Sequence, residues 1–168
     1  MIKQLLAAGV ALSIGSAWAQ EMKVEFADPA WDGKRVPEAH NCNSATAATP
    51  PLKISGLPSG SDYVTLSFRD IDGPGQMSAD GGHGRLGFFI KAGSAEITLP
   101  AIQQGKGEGE MPEGVELLGE HMGRRPVSGY LAPCSQGRNN RYEVTVRAVT
   151  AADKNKALAE TKVPIGNW

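Results

Sequence analysis

Tyr63-Val-Thr-Leu-Ser-Phe-Arg69, running on into Asp70-Ile-Asp72-Gly-Pro74, is the stretch that decides how this chain folds. Val64, Leu66 and Phe68 alternate with Thr65, Ser67 and Arg69, a period of two that turns one face of a strand toward a core, and Gly73-Pro74 ends it. If the extended backbone persists to Asp72, Asp70 and Asp72 lie on one face, because residues two apart in a strand share a side. Neighbouring carboxylates repel, so they call for hydrogen-bond donors, a shared proton or a cation. A solvated turn, with both acids bonding its amides, is the alternative.

Working outward, the same alternation predicts strands over Lys23–Phe26, Ala95–Leu99 and Arg141–Val149, Leu52–Ile54 reads as a brief extended stretch, Leu86–Ile90 is a compact apolar run suited to a buried strand, and order resumes at Val115–Leu118 after the loop before it. Residues 36–51 are polar and irregular and read as an ordered loop pinned at Cys42. Residues 103–114, dominated by Gly and Glu, read as a mobile surface loop; they lack the Lys-Ser or Lys-Thr pair and the following helix of a phosphate cradle. Ala151–Thr161, rich in Ala and Lys, is the one predicted helix, short and peripheral. The 21 glycines, 11 prolines and 6% aromatic content favour a mainly β, loop-rich fold over a helical bundle.

Residues 1–19 have the pattern of a secretory signal. Lys3 supplies the positive start, Leu5 to Ile14 an apolar run too short to span a bilayer, and Ala17-Trp18-Ala19 a small-x-small cleavage site. The expected mature chain, 20–168, has 168 − 19 = 149 residues, the size of one domain, and carries no second apolar run that would make an integral membrane segment. Its 16 basic and 18 acidic residues, once Lys3 is removed, sum to −2. That balance predicts no preference for nucleic acid or anionic lipid. Export would place the chain in the periplasm or outside the cell. There its two cysteines, Cys42 and Cys134, read as a disulfide, against the alternatives of two separate thiols or a metal pair. Two cysteines so far apart in the chain, in no recognised ligand spacing, make a poor zinc site.

Several separated stretches then fall in one order. The acid-x-acid-small-Pro box Asp70-Ile-Asp72-Gly-Pro74 follows a central strand; His40-Asn-Cys42 and Thr49-Pro-Pro-Leu52 precede it, with a Leu57-Pro-Ser-Gly60 turn between. Downstream come Tyr130-Leu-Ala-Pro-Cys134 and Asn140-Arg-Tyr142. Together they make the chain resemble the phosphatidylethanolamine-binding protein family, in particular its bacterial Raf kinase inhibitor-like members. The resemblance covers most of residues 23–150. It implies a central antiparallel sheet flanked by a smaller one, and an anion-accepting pocket lined by Asp70, Asp72, His83 and Tyr142, with Pro74 shaping the rim. The chain departs from the family in three places: His83 is followed by Gly84-Arg85 rather than Trp, Asn140 stands where the family prefers His, and the two prolines after Cys134 are absent. Asn140 keeps a donor but not a titratable one, and Arg85 would add a cation only if it turned inward.

The reading that follows is an exported, non-catalytic binding protein for a small anionic ligand of the phosphate type, a phospholipid head group among them, with no cofactor. The alternative is an inhibitor acting by protein contact on a periplasmic or secreted hydrolase, through residues 103–114. No serine or cysteine sits in an activating context, so the chain is not read as an enzyme. Asp72, Asp80 and His83 match no metal-ligand motif, and Pro74 breaks any calcium-loop reading.

Overall fold

The computed structural model describes residues 21–168. The expected signal segment lies outside the described residues. Eight strands form two antiparallel sheets: β1 (Lys23–Phe26), β2 (Leu52–Ser55), β3 (Tyr63–Asp70), β4 (Arg85–Phe89), β5 (Glu96–Leu99), β6 (Val115–Gly119), β7 (Arg141–Val149) and β8 (Ala159–Asn167). The larger sheet has the order β6-β4-β3-β7-β8 and the smaller one β1-β2-β5. The opening stretch is therefore the central strand of the larger sheet. Val64, Leu66 and Phe68 join Leu86, Phe88, Val144 and Val146 from the neighbouring strands, and Leu52 and Ile54 from the smaller sheet, in one buried core.

The opposite face of β3 is covered by charge rather than by a second core. Arg147 donates to the Ser67 hydroxyl and pairs with Asp80 and Glu160. The buried Tyr63 lies across Gly87 of β4, where any Cβ would collide with its phenol, and it donates to Glu116 at 2.5 Å. Lys154 reaches the same carboxylate from above and sits over the Tyr63 ring. β3 is thus enclosed on both faces, which suits a central strand.

The helix expected over Ala151–Thr161 does not form. Residues 151–158 are turns and β8 begins at Ala159. Local side chains take the backbone donors a helix would need. Asp62 accepts from the Ala151 amide, Thr150 from Asp153, and Asp153 from Asn155. The remainder serves as the edge partner of β7, in a ladder from Ala148↔Ala159 to Arg141↔Asn167. A full ladder of backbone hydrogen bonds outweighs the modest helix preference of Ala and Lys. Pro164 is accommodated on that edge, beside the irregularity between Tyr142 and Glu143.

Candidate ligand-binding site

The site grows from the end of β3. Register sets Asp70 directly opposite Tyr142 of β7, and the chain leaves the sheet there. Gly73 donates to the Asp70 carbonyl, closing a turn, so the strand ends before Asp72 and the two acids part. Asp70 is buried, accepting from Asn140 Nδ2 at 2.7 Å and from the Asp72 amide at 3.1 Å. Asp72 points outward onto Arg141, with contacts of 2.6 Å and 3.0 Å to the guanidinium and 2.9 Å to the amide. Hydrogen bonds from Arg141 hold its carboxyl down at about 2. The expectation that both acids share a face fails because the turn starts two residues early. Asn140, where the resemblance led one to look for His, supplies the donor that keeps Asp70 paired in the interior.

His83 is 2% exposed. Its Nδ1–H donates to the Leu131 carbonyl at 2.8 Å, which leaves Nε2 as the other ring nitrogen, and Nε2 has no protein partner. Burial lowers the imidazole pKa, partly offset by the Leu131 carbonyl and by Asp70, so the neutral ring is favoured. Gly84, next in the chain, has φ of +108°, and a Cβ there would press on the backbone of Gly129 and Tyr130. The glycine that breaks the resemblance thereby lets residues 129–131 pass close enough for Leu131 to orient the imidazole.

Tyr142 meets His83 edge-on, ring centroids 5.3 Å apart, and its hydroxyl accepts from the Cys134 amide at 3.0 Å. Burial pushes this phenol well above its ordinary range. Tyr142 therefore backs His83 and props the loop that carries Cys134. That loop is tied to residues 36–51 by the Cys42–Cys134 disulfide and by the Cys42 amide donating to Pro133.

Around His83 opens a cavity of about 650 Å³, in the size range of small-ligand sites. Of the expected residues, Asp70, Pro74 and His83 line it; Asp72 and Tyr142 do not. Its remaining wall holds Met77, Met122 and Pro126, and three residues that sequence reasoning did not assign to a site: Arg124, Arg125 and Arg138. Arg124-Arg125 is visible in the sequence as a basic step before Pro126, but no local pattern says that it faces His83. Arg85, the cation that could have turned inward, does not line the cavity; its chain lies against Gly81 and its Nε is buried without a partner.

Residues 103–114 are more tightly tied than their composition suggests. Gln104 donates to the Cys42 carbonyl and accepts from the Ala132 amide, while its own amide bonds Ala47, and Glu108–Glu110 form one 3-10 turn. Among the described residues no group of three or more His, Cys, Asp or Glu side chains is placed to hold a metal, and no helix is long and apolar enough to cross a membrane.

Compared with known families, residues 27–166 match the one described as phosphatidylethanolamine-binding protein. Among solved structures, the fold is similar to CT736 of Chlamydia trachomatis D/UW-3/CX, described as a putative phosphatidylethanolamine-binding protein homolog. Identity is 19% and the TM-score 0.55, over 89% of this chain and 97% of that one. It is also similar to YbcL of E. coli, described as a new member of the mammalian family, at 17% identity and a TM-score of 0.56, over 88% of this chain and 98% of that one. At such identities these likenesses speak for the fold alone. No curated protein matches.

Proposed function

The chain belongs to the phosphatidylethanolamine-binding protein family, and on that basis we propose that it is an exported, non-catalytic binding protein whose His83 cavity takes a small phosphate-type anion. The observation that carries this is the pairing, in one cavity, of a buried imidazole nitrogen with no protein partner and three arginines. Guanidinium groups recognise phosphate oxygens through paired, charge-assisted hydrogen bonds. The neutral Nε2 accepts a hydrogen bond, so a phosphate that retains one proton satisfies both ends of the cavity: its P–OH faces His83 and its charged oxygens face the arginines. Met77 and Met122 beside them suit an ester with an apolar part, a lipid head group among them. Export is supported by the signal pattern of residues 1–19 and by a disulfide, which persists in oxidising compartments.

The test is the thermal midpoint of the oxidised mature protein with inorganic phosphate, phosphoethanolamine, acetate and simple metal ions, since a ligand that binds only the native state raises it. The expected result is a rise with phosphate and phosphoethanolamine that is lost in Arg138→Ala and reduced in His83→Gln. No rise with any anion, in a protein that melts cooperatively, would overturn this reading.

A further inference from the structure

A second cavity, of about 420 Å³, adjoins the first and is not needed for holding a phosphate. The two share a wall made of Arg125, Cys134 and Gln136, so they are two compartments of one cleft divided at the disulfide. Arg125 is held across that divide, donating to the Cys42 carbonyl at 3.2 Å and to Asn43 Oδ1 at 2.6 Å.

The chemistry of the second compartment differs from that of the first. Asn43, Gln136, Asn139 and Asn167, four residues with carboxamide side chains, line it together with Arg35 and Trp168, and no Asp or Glu side chain does. Arg35 makes no ion pair among the described residues. Carboxamides both donate and accept, which is what hydroxyl groups require, and an indole offers an apolar face for the C–H side of a hydroxylated ring. An apolar ligand would leave these amides unpaired.

The loop that carries Gln136 and Asn139 is built at a cost. Gln136 and Asn139 have φ of 56° and 58°, a region that asparagine tolerates and glutamine seldom adopts. Gln136 and Gly137, φ 82°, are followed by the Arg138 amide returning to the Ser135 carbonyl. That is the pattern of a tight turn whose first central position favours Asn, Asp or Gly. Gln136 lines both compartments, as Arg125 and Cys134 do. Strain of this kind persists where the placed side chain is put to use.

We propose that the cleft binds a polyhydroxylated phosphate ester, with the phosphate in the His83 compartment and the hydroxylated arm over Arg125 and Gln136 in the second. This extends, and rests on, the phosphate reading of the first compartment. The two are separated by titration calorimetry on the oxidised mature protein with inorganic phosphate and with glucose 6-phosphate. The sugar phosphate is expected to bind at least tenfold more tightly than inorganic phosphate. Arg35→Ala and Asn139→Gly, each at a residue that lines only the second compartment and each checked for an unreduced thermal midpoint, should remove that advantage and leave inorganic phosphate binding unchanged. His83→Gln should weaken both probes. Equal affinity for the two probes, or a preference for the sugar phosphate that survives Arg35→Ala, overturns the extension alone. Failure of both probes to bind overturns the phosphate reading and the extension with it.

Discussion

Arg69, Arg141 and Arg147 stand on strands, and each is held by a carboxylate: Arg69 by Glu143 at 2.8 Å, Arg141 by Asp72 at 2.6 Å, and Arg147 by Asp80 at 2.9 Å and Glu160 at 2.7 Å. Arg35, Arg124, Arg125 and Arg138 stand on connecting segments, line the cleft, and have no acid partner among the described residues. These three arginines are neutralised where they stand and serve the fold; Arg85, on β4, has no acid partner among the described residues and lines neither compartment. The cleft cations face solvent-accessible space with hydrogen-bonding capacity left over, which is the condition for binding an anion. A net charge close to zero conceals this segregation.

The largest effect is expected where the cleft is tied together. Replacing both cysteines, Cys42→Ser with Cys134→Ser, releases a 92-residue closure and should lower stability by about 4 kcal/mol in denaturant unfolding. It should also weaken phosphate binding, because Arg125 is anchored on the Cys42 segment. Unchanged affinity in the folded double variant would show that the wall stands without the tie.

The contrast between the two sets of arginines is tested most directly by a matched pair. Arg69→Ala leaves Glu143 half-enclosed without its cation and should cost about 1 kcal/mol, with phosphate affinity unaltered. Arg138→Ala should leave the unfolding midpoint where it was and reduce phosphate affinity about tenfold. The opposite assignment of effects would dissolve the distinction.

A smaller effect concerns pH. The folded protein disfavours protonated His83, whereas the unfolded chain takes up that proton near its ordinary value of about 6.5. The contribution of the neutral ring is therefore complete above pH 6.5 and declines as pH falls below it toward the lowered folded value. Stability measured between pH 7 and pH 5 should slope less in His83→Gln than in the wild type; parallel slopes would remove His83 as the origin.

The smallest is expected at Asp72, which is bound to Arg141 in the open. Its carboxyl should titrate with a midpoint of about 2 by NMR, and Asp72→Asn should leave phosphate affinity unchanged. A loss of affinity there would return Asp72 to the site.

Alternation alone placed most of the sheet correctly, since the expected strand from Arg141 to Val149 agrees with β7 and Tyr63–Arg69 with all but the last residue of β3. Period-two burial is a local property that a side chain carries with it. The expected C-terminal helix failed for the complementary reason: whether 151–161 coils or pairs depends on the vacant edge of β7, which no window of sequence contains. The site divided in the same way. Asp70, Pro74 and His83, which the family resemblance pointed to, line one cavity. Arg124, Arg125 and Arg138 were not legible, because loops carry no periodicity to say where a side chain points.

The sequence by itself determined the mainly β class, the central strand, the acid box and the two cysteines able to join, all of which follow from residue type and short-range spacing. Only the tertiary structure decided that Asp70 turns inward while Asp72 turns out, that Asn140 holds Asp70, and that loop arginines distant in the chain meet at His83. Those outcomes depend on strand register, on where a turn closes, and on a disulfide joining segments 92 residues apart. Each is a long-range contact whose free energy belongs to the assembled fold.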